Sequence, residues 1–163
     1  MLIGILSDSH GRQLAVRRAM AIFEELGTSH VIHCGDVGSN EVFDEMIGRP
    51  CTFVWGNTDF PDDGLAAYAN ALGLSIPRKV PVLIELGGKR IAVLHGHEPS
   101  FHAAIERLDV DYIFHGHTHI ARDEKLHGKR VINPGALHRA ARKTVATLNT
   151  TTDQLNFHEI DLR

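Results

Sequence analysis

The chain has 163 residues, of which 43% are hydrophobic and 23% charged, and this balance predicts one soluble globular domain over residues 1–163. Its formal net charge of -3 argues against a general nucleic-acid or membrane-surface binder, because such proteins are usually basic. No apolar run approaches the roughly 20 residues of a membrane span, and residues 1–6 are too short for a signal peptide. Cys34 and Cys51 lie in apolar segments without a CxxC motif. We therefore expect reduced thiols and a cytoplasmic location.

The first half of the chain alternates short apolar runs with amphipathic segments. Strands are predicted over residues 2–6, 30–34 and 51–55. Helices are predicted from Gly11 to Gly27, after Ser39 as N-cap, and from Pro61 to about Leu72, with Asp62 and Asp63 at the positive end of the third helix. This β-α-β-α-β-α order is typical of a largely parallel sheet.

The second half of the chain favours strands. Residues 81–86 and 89–94 are predicted to form a hairpin around Gly87 and Gly88, and a short helix is expected after Ser100. Further strands are predicted over residues 111–114 and 130–132, and a closing hairpin joins residues 144–148 to 155–160. Two sheets packed face to face, with helices outside, would bury this many strands.

Polar side chains follow each of the first three predicted strands. Asp8 and His10 follow the first strand, Asp36 the second and Asn57 the third. Open α/β sheets bind their ligands at the carboxyl ends of parallel strands. We therefore expect these four side chains to face one crevice.

Histidines gather after two strands of the second half. His95 ends the predicted hairpin, and the run from His115 to His119 places imidazoles at alternate positions. Residues two apart share a face of an extended backbone, so His117 and His119 can point into one pocket. Imidazole is the commonest metal ligand in proteins. Taken singly, each of these residues could be a helix cap, a turn residue or a structural histidine.

Together these strand ends supply two carboxylates, one amide and four imidazoles, which are too many ligands for one tetrahedral ion. They suit two divalent ions that share a ligand, and a carboxylate can bridge two cations. Asp36 stands alone after its strand, so we expect it to be the bridge. Two ions about 3.5–4 Å apart can hold a hydroxide and polarise a phosphoryl oxygen. The predicted ligands are Asp8, His10, Asp36, Asn57, His95, His117 and His119.

In order, these motifs resemble the five blocks of the calcineurin-like metallophosphoesterases, and the length is similar to the small single-domain bacterial and archaeal phosphodiesterases. The resemblance covers residues 2–135 and implies a four-layer α/β/β/α sandwich. It implies two divalent transition-metal ions, with manganese first and nickel, iron or zinc as alternatives. It assigns Asp8, His10, Asp36 and His119 to one ion and Asp36, Asn57, His95 and His117 to the other. The motifs that carry the resemblance are Asp8-Ser9-His10, Gly35-Asp36, Gly56-Asn57 with Asp59, His95-Gly96-His97 and Gly116-His117-Thr118-His119.

The chain departs from the larger phosphatases of this superfamily in one respect. These enzymes carry a histidine directly after the block's asparagine, where it is taken as the general acid, and this chain has Thr58 there. A threonine hydroxyl does not supply a proton at neutral pH. His97 is then the candidate acid, with a solvent-facing histidine as the alternative, and Asn57 would steady the developing charge.

Other polar residues near the motifs are expected to have supporting roles. Asp59 is expected to orient the site by bonding a ligand histidine, with a plain turn residue as the alternative. His115 is expected to be structural, and Ala136 stands where relatives often carry serine. A basic loop follows; we interpret it as solvated rather than as an anion contact. Its basic residues are Arg139, Arg142 and Lys143.

The resulting hypothesis is a phosphodiesterase that attacks a small phosphoester with a metal-bridging hydroxide. A phosphomonoesterase is one alternative. Another is a protein-interaction scaffold similar to the retromer subunit that shares this fold. No membrane partner is expected, nucleic acid would be met only as substrate, and a homo-oligomer stays open.

Overall fold

The computed structural model describes residues 1–61 and 64–162 of the chain. Asp62 and Asp63, which were predicted to lie at the positive end of the third helix, fall outside the described residues. In chain order the elements are β1 (Leu2–Leu6), α1 (Gln13–Glu25), β2 (His30–His33), α2 (Asn40–Met46), β3 (Cys51–Phe53), α3 (Leu65–Ala71), β4 (Val82–Leu86), β5 (Lys89–Val93), α4 (Phe101–Arg107), β6 (Tyr112–Phe114), β7 (Arg122–Leu126), β8 (Lys129–Asn133), β9 (Thr144–Asn149) and β10 (Gln154–Glu159).

These strands form two mixed five-stranded sheets. The first has the order β10-β9-β1-β2-β3, in which β1, β2 and β3 are parallel and the closing hairpin is antiparallel. The second has the order β4-β5-β6-β8-β7, in which β5, β6 and β8 are parallel. The carboxyl ends of the parallel strands therefore present the loops that carry the predicted ligands.

The core lies in three layers of apolar side chains, and these layers confirm the predicted α/β/β/α sandwich. Between the sheets, Ile3 and Ile5 of β1 belong to one buried cluster with Phe114 of β6. On the outer face of the first sheet, Phe23 of α1 and Phe43 of α2 share a cluster with residues of α3. A smaller cluster joins α4 to the outer face of the second sheet. Burial of apolar area on both faces of each sheet holds the strands, and with them their terminal loops, in register.

The predicted elements are present with small shifts at their ends, and one strand was missed. β7 pairs antiparallel with the outer side of β8, and its sequence Arg-Asp-Glu-Lys-Leu has no apolar alternation. It lies at the sheet edge with both faces largely exposed, where charged side chains protect an unpaired edge. The third helix begins at Leu65 rather than Pro61, after Gly64 in a left-handed conformation.

Two further findings concern the expectations about membrane spans and cysteines. No described helix has both the length and the apolar character needed to cross a bilayer. Cys34 is buried and Cys51 half-buried, and both are free thiols as expected.

Candidate metal centre

The predicted ligand loops have an unusual backbone. A left-handed conformation disfavours residues with a side chain and is held only where the surrounding fold requires it, which is common at functional sites. His127, Arg139 and Asp153 are the other non-glycine residues with positive φ in the described part of the chain. Five predicted ligands also have a positive φ: Asp8 (φ 53°), His10 (φ 44°), Asp36 (φ 54°), His117 (φ 68°) and His119 (φ 60°).

One group of potential ligand atoms comes from Asp8, His10 and His119, which lie within 4.8 Å of one another. His119 Nε2 lies 3.1 Å from Asp8 Oδ1, and the rings of His10 and His119 are 5.6 Å apart. Asp8 is fully buried, whereas the two imidazoles are half-buried. The loops after β1 and β6, more than a hundred residues apart in the chain, therefore meet at this point.

A second group consists of Asp8, Asp36 and His95, all three buried. His95 Nε2 lies 3.3 Å from Asp36 Oδ2, 3.9 Å from Asp8 Oδ1 and 3.1 Å from Asn57 Oδ1. The ring of His117 lies 5.2 Å from that of His95, and its backbone N–H donates to the carboxylate of Asp8. The structure thus gathers all seven predicted ligands at one edge of the sandwich.

Asp8 and Asp36 each lie near ligand atoms of both groups. Asp36 Oδ2 is 3.4 Å from His10 Nε2 as well as 3.3 Å from His95 Nε2. Asp36 Oδ1 is occupied by the backbone N–H of Thr58 at 2.9 Å. Asp8 is common to both groups of potential ligand atoms. Asp36 Oδ2 can therefore reach a histidine on each side, and Asp8 is the carboxylate that the two groups have in common.

The hydrogen bonds of His95 test whether these residues suit a cation. Its Nδ1 lies 2.8 Å from the backbone carbonyl of Cys34, which can only accept, so Nδ1 carries the hydrogen. In the neutral imidazole, Nε2 then presents a lone pair to oxygens of Asp36 and Asn57. His10 Nε2 is also buried and has no hydrogen-bond partner. Lone pairs that converge in this way need a proton or a cation between them, so the donor set fits divalent metal ions.

The ionisation of the buried pair agrees with this interpretation. Burial lowers the pKa of His95, but the Asp36 carboxylate and the Cys34 carbonyl outweigh burial and raise the pKa above its usual value. Burial raises the pKa of Asp36, yet a hydrogen bond from His95, when a proton occupies its Nε2, and one from the Thr58 N–H hold the pKa well below its usual range. Asp36 is therefore ionised, and it attracts positive charge to this position.

Asp59 has a different partner from the one predicted. Its carboxylate accepts hydrogen bonds from the backbone N–H groups of Val37, Gly38 and Gly56, at 3.1, 2.9 and 2.8 Å, and none from a ligand histidine. It thereby joins the loop after β2 to the loop after β3. The pKa of Asp59 is raised because burial outweighs these hydrogen bonds. Asp59 acts on the backbone that carries Asp36 and Asn57.

Sequence reasoning missed Glu98, which has the same function in the loop after β5. Its two carboxylate oxygens accept the backbone N–H groups of His95 at 2.9 Å and of Gly96 at 2.7 Å. The only sequence signal was an acidic residue three positions after a predicted ligand.

His33 and Asn133 were also missed as supporting residues. The backbone N–H of Gly35 donates to His33 Nδ1, so Nε2 carries the hydrogen and donates to Ser9 Oγ at 2.8 Å. Complete burial lowers the pKa of His33 to about 3, so it stays neutral. Asn133 Nδ2 donates to the carbonyl of Gly116 at 2.7 Å. Both residues hold ligand loops in place from within the core.

Two glycines leave room for the carboxylates. A Cβ atom on Gly56 would lie 2.1 Å from Asp36 Oδ1, and one on Gly116 would lie 2.5 Å from Asp8 Oδ2. Any side chain at either position would displace a predicted ligand. The glycines in these motifs are therefore required by close approach of the loops.

The histidines at the rim fall on two sides of the site. The ring of His97 lies 5.3 Å from that of His95, half-exposed, where it can meet solvent or substrate. On the other side, the ring of His138 lies 5.1 Å from that of His10, and Arg12 Nε donates to His138 Nδ1. His138 was not among the predicted site residues.

Two further residues near the motifs are accounted for. His115 is buried against the ring of Phe101, and burial lowers its pKa to about 4, as suits the structural role expected for it. Thr58 donates its N–H to Asp36, and its hydroxyl lies 3.4 Å from His10 Nδ1. Thr58 therefore contacts two predicted ligands, Asp36 and His10.

A two-sheet sandwich that gathers carboxylates and imidazoles at one edge defines a class of metal-dependent hydrolases. The model of the calcineurin-like phosphoesterase superfamily domain matches residues 1–153, and the chain belongs to this family. The predicted family is therefore confirmed, and the family is hydrolytic.

Individual relatives agree with this placement. The chain is 30% identical over 138 residues to phosphodiesterase MJ0936 of Methanocaldococcus jannaschii, covering 83% of each protein. It is 29% identical over 171 residues to the probable metallophosphoesterase YsnB of Bacillus subtilis, covering 98% of this chain and 91% of YsnB. Among solved structures, an archaeal phosphodiesterase superposes with a TM-score of 0.87 at 27% identity, covering 98% of this chain and 99% of that one.

Proposed function

We propose that the protein is a phosphodiesterase that depends on two divalent metal ions. The observation that carries this proposal is the convergence of Asp8, Asp36, His10 and His95 with their free ligand atoms turned toward each other. Such a buried cluster is costly for folding unless a cation occupies it.

The ligands divide between two positions. Asp8, His10, Asp36 and His119 would hold one ion, and Asp36, Asn57, His95 and His117 the other. The distances from Asp36 Oδ2 to His10 and to His95 support Asp36 as the shared ligand. Such ions, when bound, polarise a phosphoryl oxygen and lower the pKa of a water molecule so that it can attack phosphorus at neutral pH.

The chain's own residues orient the substrate and handle the departing group. Asn57 lies beside His95 and can donate its amide to a phosphoryl oxygen as charge develops there. His97, at the open rim, would protonate an alkoxide leaving group. Thr58 does not supply a proton and is tied to Asp36 and His10. A similar protein that bears the name phosphodiesterase supports diesters over monoesters.

Imidazoles mixed with carboxylates favour manganese, iron, nickel or zinc over magnesium, and we propose manganese first. The reduced thiols suit a cytoplasmic enzyme. Small phosphoesters are the proposed substrates.

A hydrolysis screen tests the proposal. The protein is stripped of metal, reloaded with manganese, nickel or zinc, and assayed with bis(p-nitrophenyl) phosphate and p-nitrophenyl phosphate, with bound metal measured in parallel. We expect about two ions per chain and faster turnover of the diester. Faster turnover of the monoester would instead identify a phosphomonoesterase. A protein that neither binds these metals nor hydrolyses either ester would support the interaction scaffold and reject an enzyme.

A further inference from the structure

A cavity of about 750 Å³ opens directly beside the proposed metal centre. It shares Thr118 and His119 with the loop after β6, and its other walls come from residues 139–142 and from Phe157 on β10. His119 belongs to the ligand group formed with Asp8 and His10. A molecule held at the metal centre could therefore extend into this cavity.

The cavity presents apolar surface that nothing in the fold covers. Ile120 is 58% exposed and Phe157 is 41% exposed, and Ala121 lies on the same wall. The volume is typical of small-molecule binding sites, and the lining combines these apolar residues with a similar share of polar ones. The apolar wall would suit a planar ring.

The two arginines of the cavity differ in their partners. Arg142 donates from Nη2 to Glu159 Oε2 at 3.0 Å, so these two residues neutralise each other. Arg139 has a positive φ of 49° and makes no hydrogen bond or ion pair with any residue of the described ranges. The cavity therefore contains a guanidinium that is free to bind an anionic or polar group.

We propose that this cavity, here called the arm pocket, binds the non-reacting arm of a nucleoside phosphodiester. The proposal rests on the function proposed above and specifies its substrate class. The ring of the arm would pack against Ile120 and Phe157, and Arg139 would contact the polar groups of the arm.

The two rims of the site support this division of the substrate. His97 lies on the His95 side, where the leaving group would depart, and the arm pocket lies on the His119 side. A monoester has no second arm to place there. Of the two arginines that line the cavity, only Arg139 lacks an ion-pair partner among the described residues, which suits a short ester rather than a long polyanion, because a polyanion needs several cations.

Two substrates with the same leaving group isolate the arm pocket. Methyl p-nitrophenyl phosphate has a small arm, and thymidine 5′-p-nitrophenyl phosphate has a nucleoside arm. We expect the manganese enzyme to favour the thymidine ester by at least about tenfold in kcat/KM. Ile120→Asp and Arg139→Gln should each lower this preference severalfold, because each removes a contact with the nucleoside arm. Leu83→Asp, at an equally exposed apolar residue of β4, is the matched control and should leave the preference unchanged.

A binding measurement separates the arm pocket from the reaction. In zinc-loaded protein with labelled isoleucine methyl groups, thymidine 5′-monophosphate should shift the Ile120 signal, and methyl phosphate should not. The Ile120 signal is assigned with Ile120→Val. This shift would support the arm pocket even if neither ester is hydrolysed, a result that would contradict only the proposed reaction.

Three results would overturn the proposal. They are equal kcat/KM values for the two esters, an Ile120 signal that does not respond to saturating thymidine 5′-monophosphate, and an Ile120 signal that shifts with protein concentration alone. The last result would show that a second copy of the chain covers this surface.

Discussion

At the end of the sandwich opposite the proposed metal centre, charged groups also cluster, and there Arg130 is paired with two carboxylates. Arg130 donates to Asp123 at 2.8 Å and to the Asp153 carboxylate at 2.6 Å, and the hydroxyl of Tyr112 donates to Asp153 at 2.7 Å. These hydrogen bonds to the two carboxylates raise the pKa of Arg130 above its usual value. This network stabilises the strand ends by itself.

At the metal-centre end, acceptors face acceptors. Asp8, Asp36 and His95 are all buried, and the free nitrogen of His95 faces oxygens on three sides. The fold holds this arrangement with Asp59, Glu98 and backbone in left-handed conformations. A functional site can therefore be recognised by charged groups that the fold positions but does not neutralise.

The sharpest test of this difference is Asp36→Asn. Asparagine keeps the shape and can still accept the Thr58 N–H, but it removes the charge that both ligand groups share. We expect hydrolysis of bis(p-nitrophenyl) phosphate to fall on the order of 10³-fold and the rise in Tm caused by manganese to disappear. A variant that keeps both would show that Asp36 is not a ligand. Glu106→Gln, at an exposed position of α4, is the control and should retain both.

His97→Ala tests whether the open rim takes part in the reaction. If His97 protonates the leaving group, an alkyl diester should lose roughly 10²-fold in kcat, because an alkoxide is a poor leaving group without a proton. Aryl diesters, whose phenolate departs unaided, should lose little. Equal losses on both substrates would remove His97 as the acid. His102→Ala, an exposed histidine of α4, should leave both rates unchanged.

Glu98→Gln tests whether the ligand loops need their backbone anchors. The amide of glutamine would point toward one of the two N–H groups that Glu98 now accepts, from His95 and Gly96. We expect manganese affinity and activity to fall about 10–100-fold while the folded protein is retained. Titration of the metal-free variant with manganese measures the affinity. Unchanged affinity would show that the β5 loop holds His95 without Glu98.

His33 refines the comparison, because it lies at the metal-centre end and yet is fully hydrogen-bonded. Its pKa is about 3 in the folded protein and 6.5 in the unfolded chain, so only the unfolded chain takes up its proton between these values. This contribution to stability is complete above pH 6.5 and is lost as the pH falls toward 3.

In metal-free protein, the free energy of unfolding should therefore drop between pH 7 and pH 5 by on the order of 1–2 kcal/mol more in the wild type than in His33→Gln. Urea denaturation at the two pH values measures this difference. An identical pH dependence in both proteins would refute the assignment, and the exposed His102→Gln should behave like the wild type.

The smallest expected effect lies at the opposite end. Asp153→Asn weakens the contacts with Arg130 and Tyr112, but Asp153 is half-exposed and water screens the pair. We expect a loss of about 1 kcal/mol in the free energy of unfolding, with metal binding and hydrolysis unchanged. If activity fell together with stability, the two ends would not be independent.

The predicted strands and ligand motifs were accessible from the sequence because their signals are local. A short apolar run followed by Asp8 or Asp36 identifies both the strand and the residue at its end. β7 was missed because an edge strand buries little, so no apolar pattern marks it.

The supporting contacts could not be predicted in the same way. Asp59 was expected to bond a histidine, but its partners are N–H groups of Val37, Gly38 and Gly56. Any backbone N–H is a donor whatever its residue type, so no sequence pattern indicates which one a carboxylate will accept.

The sequence by itself determined which side chains can bind metal and on which strand ends they lie, because imidazole and carboxylate chemistry and strand periodicity belong to short segments. The tertiary structure alone decided that Asp36 lies between His10 and His95, and that a cavity with an unpaired Arg139 opens beside His119. These relations depend on how two sheets pack, since packing brings together loops that are tens of residues apart in the chain.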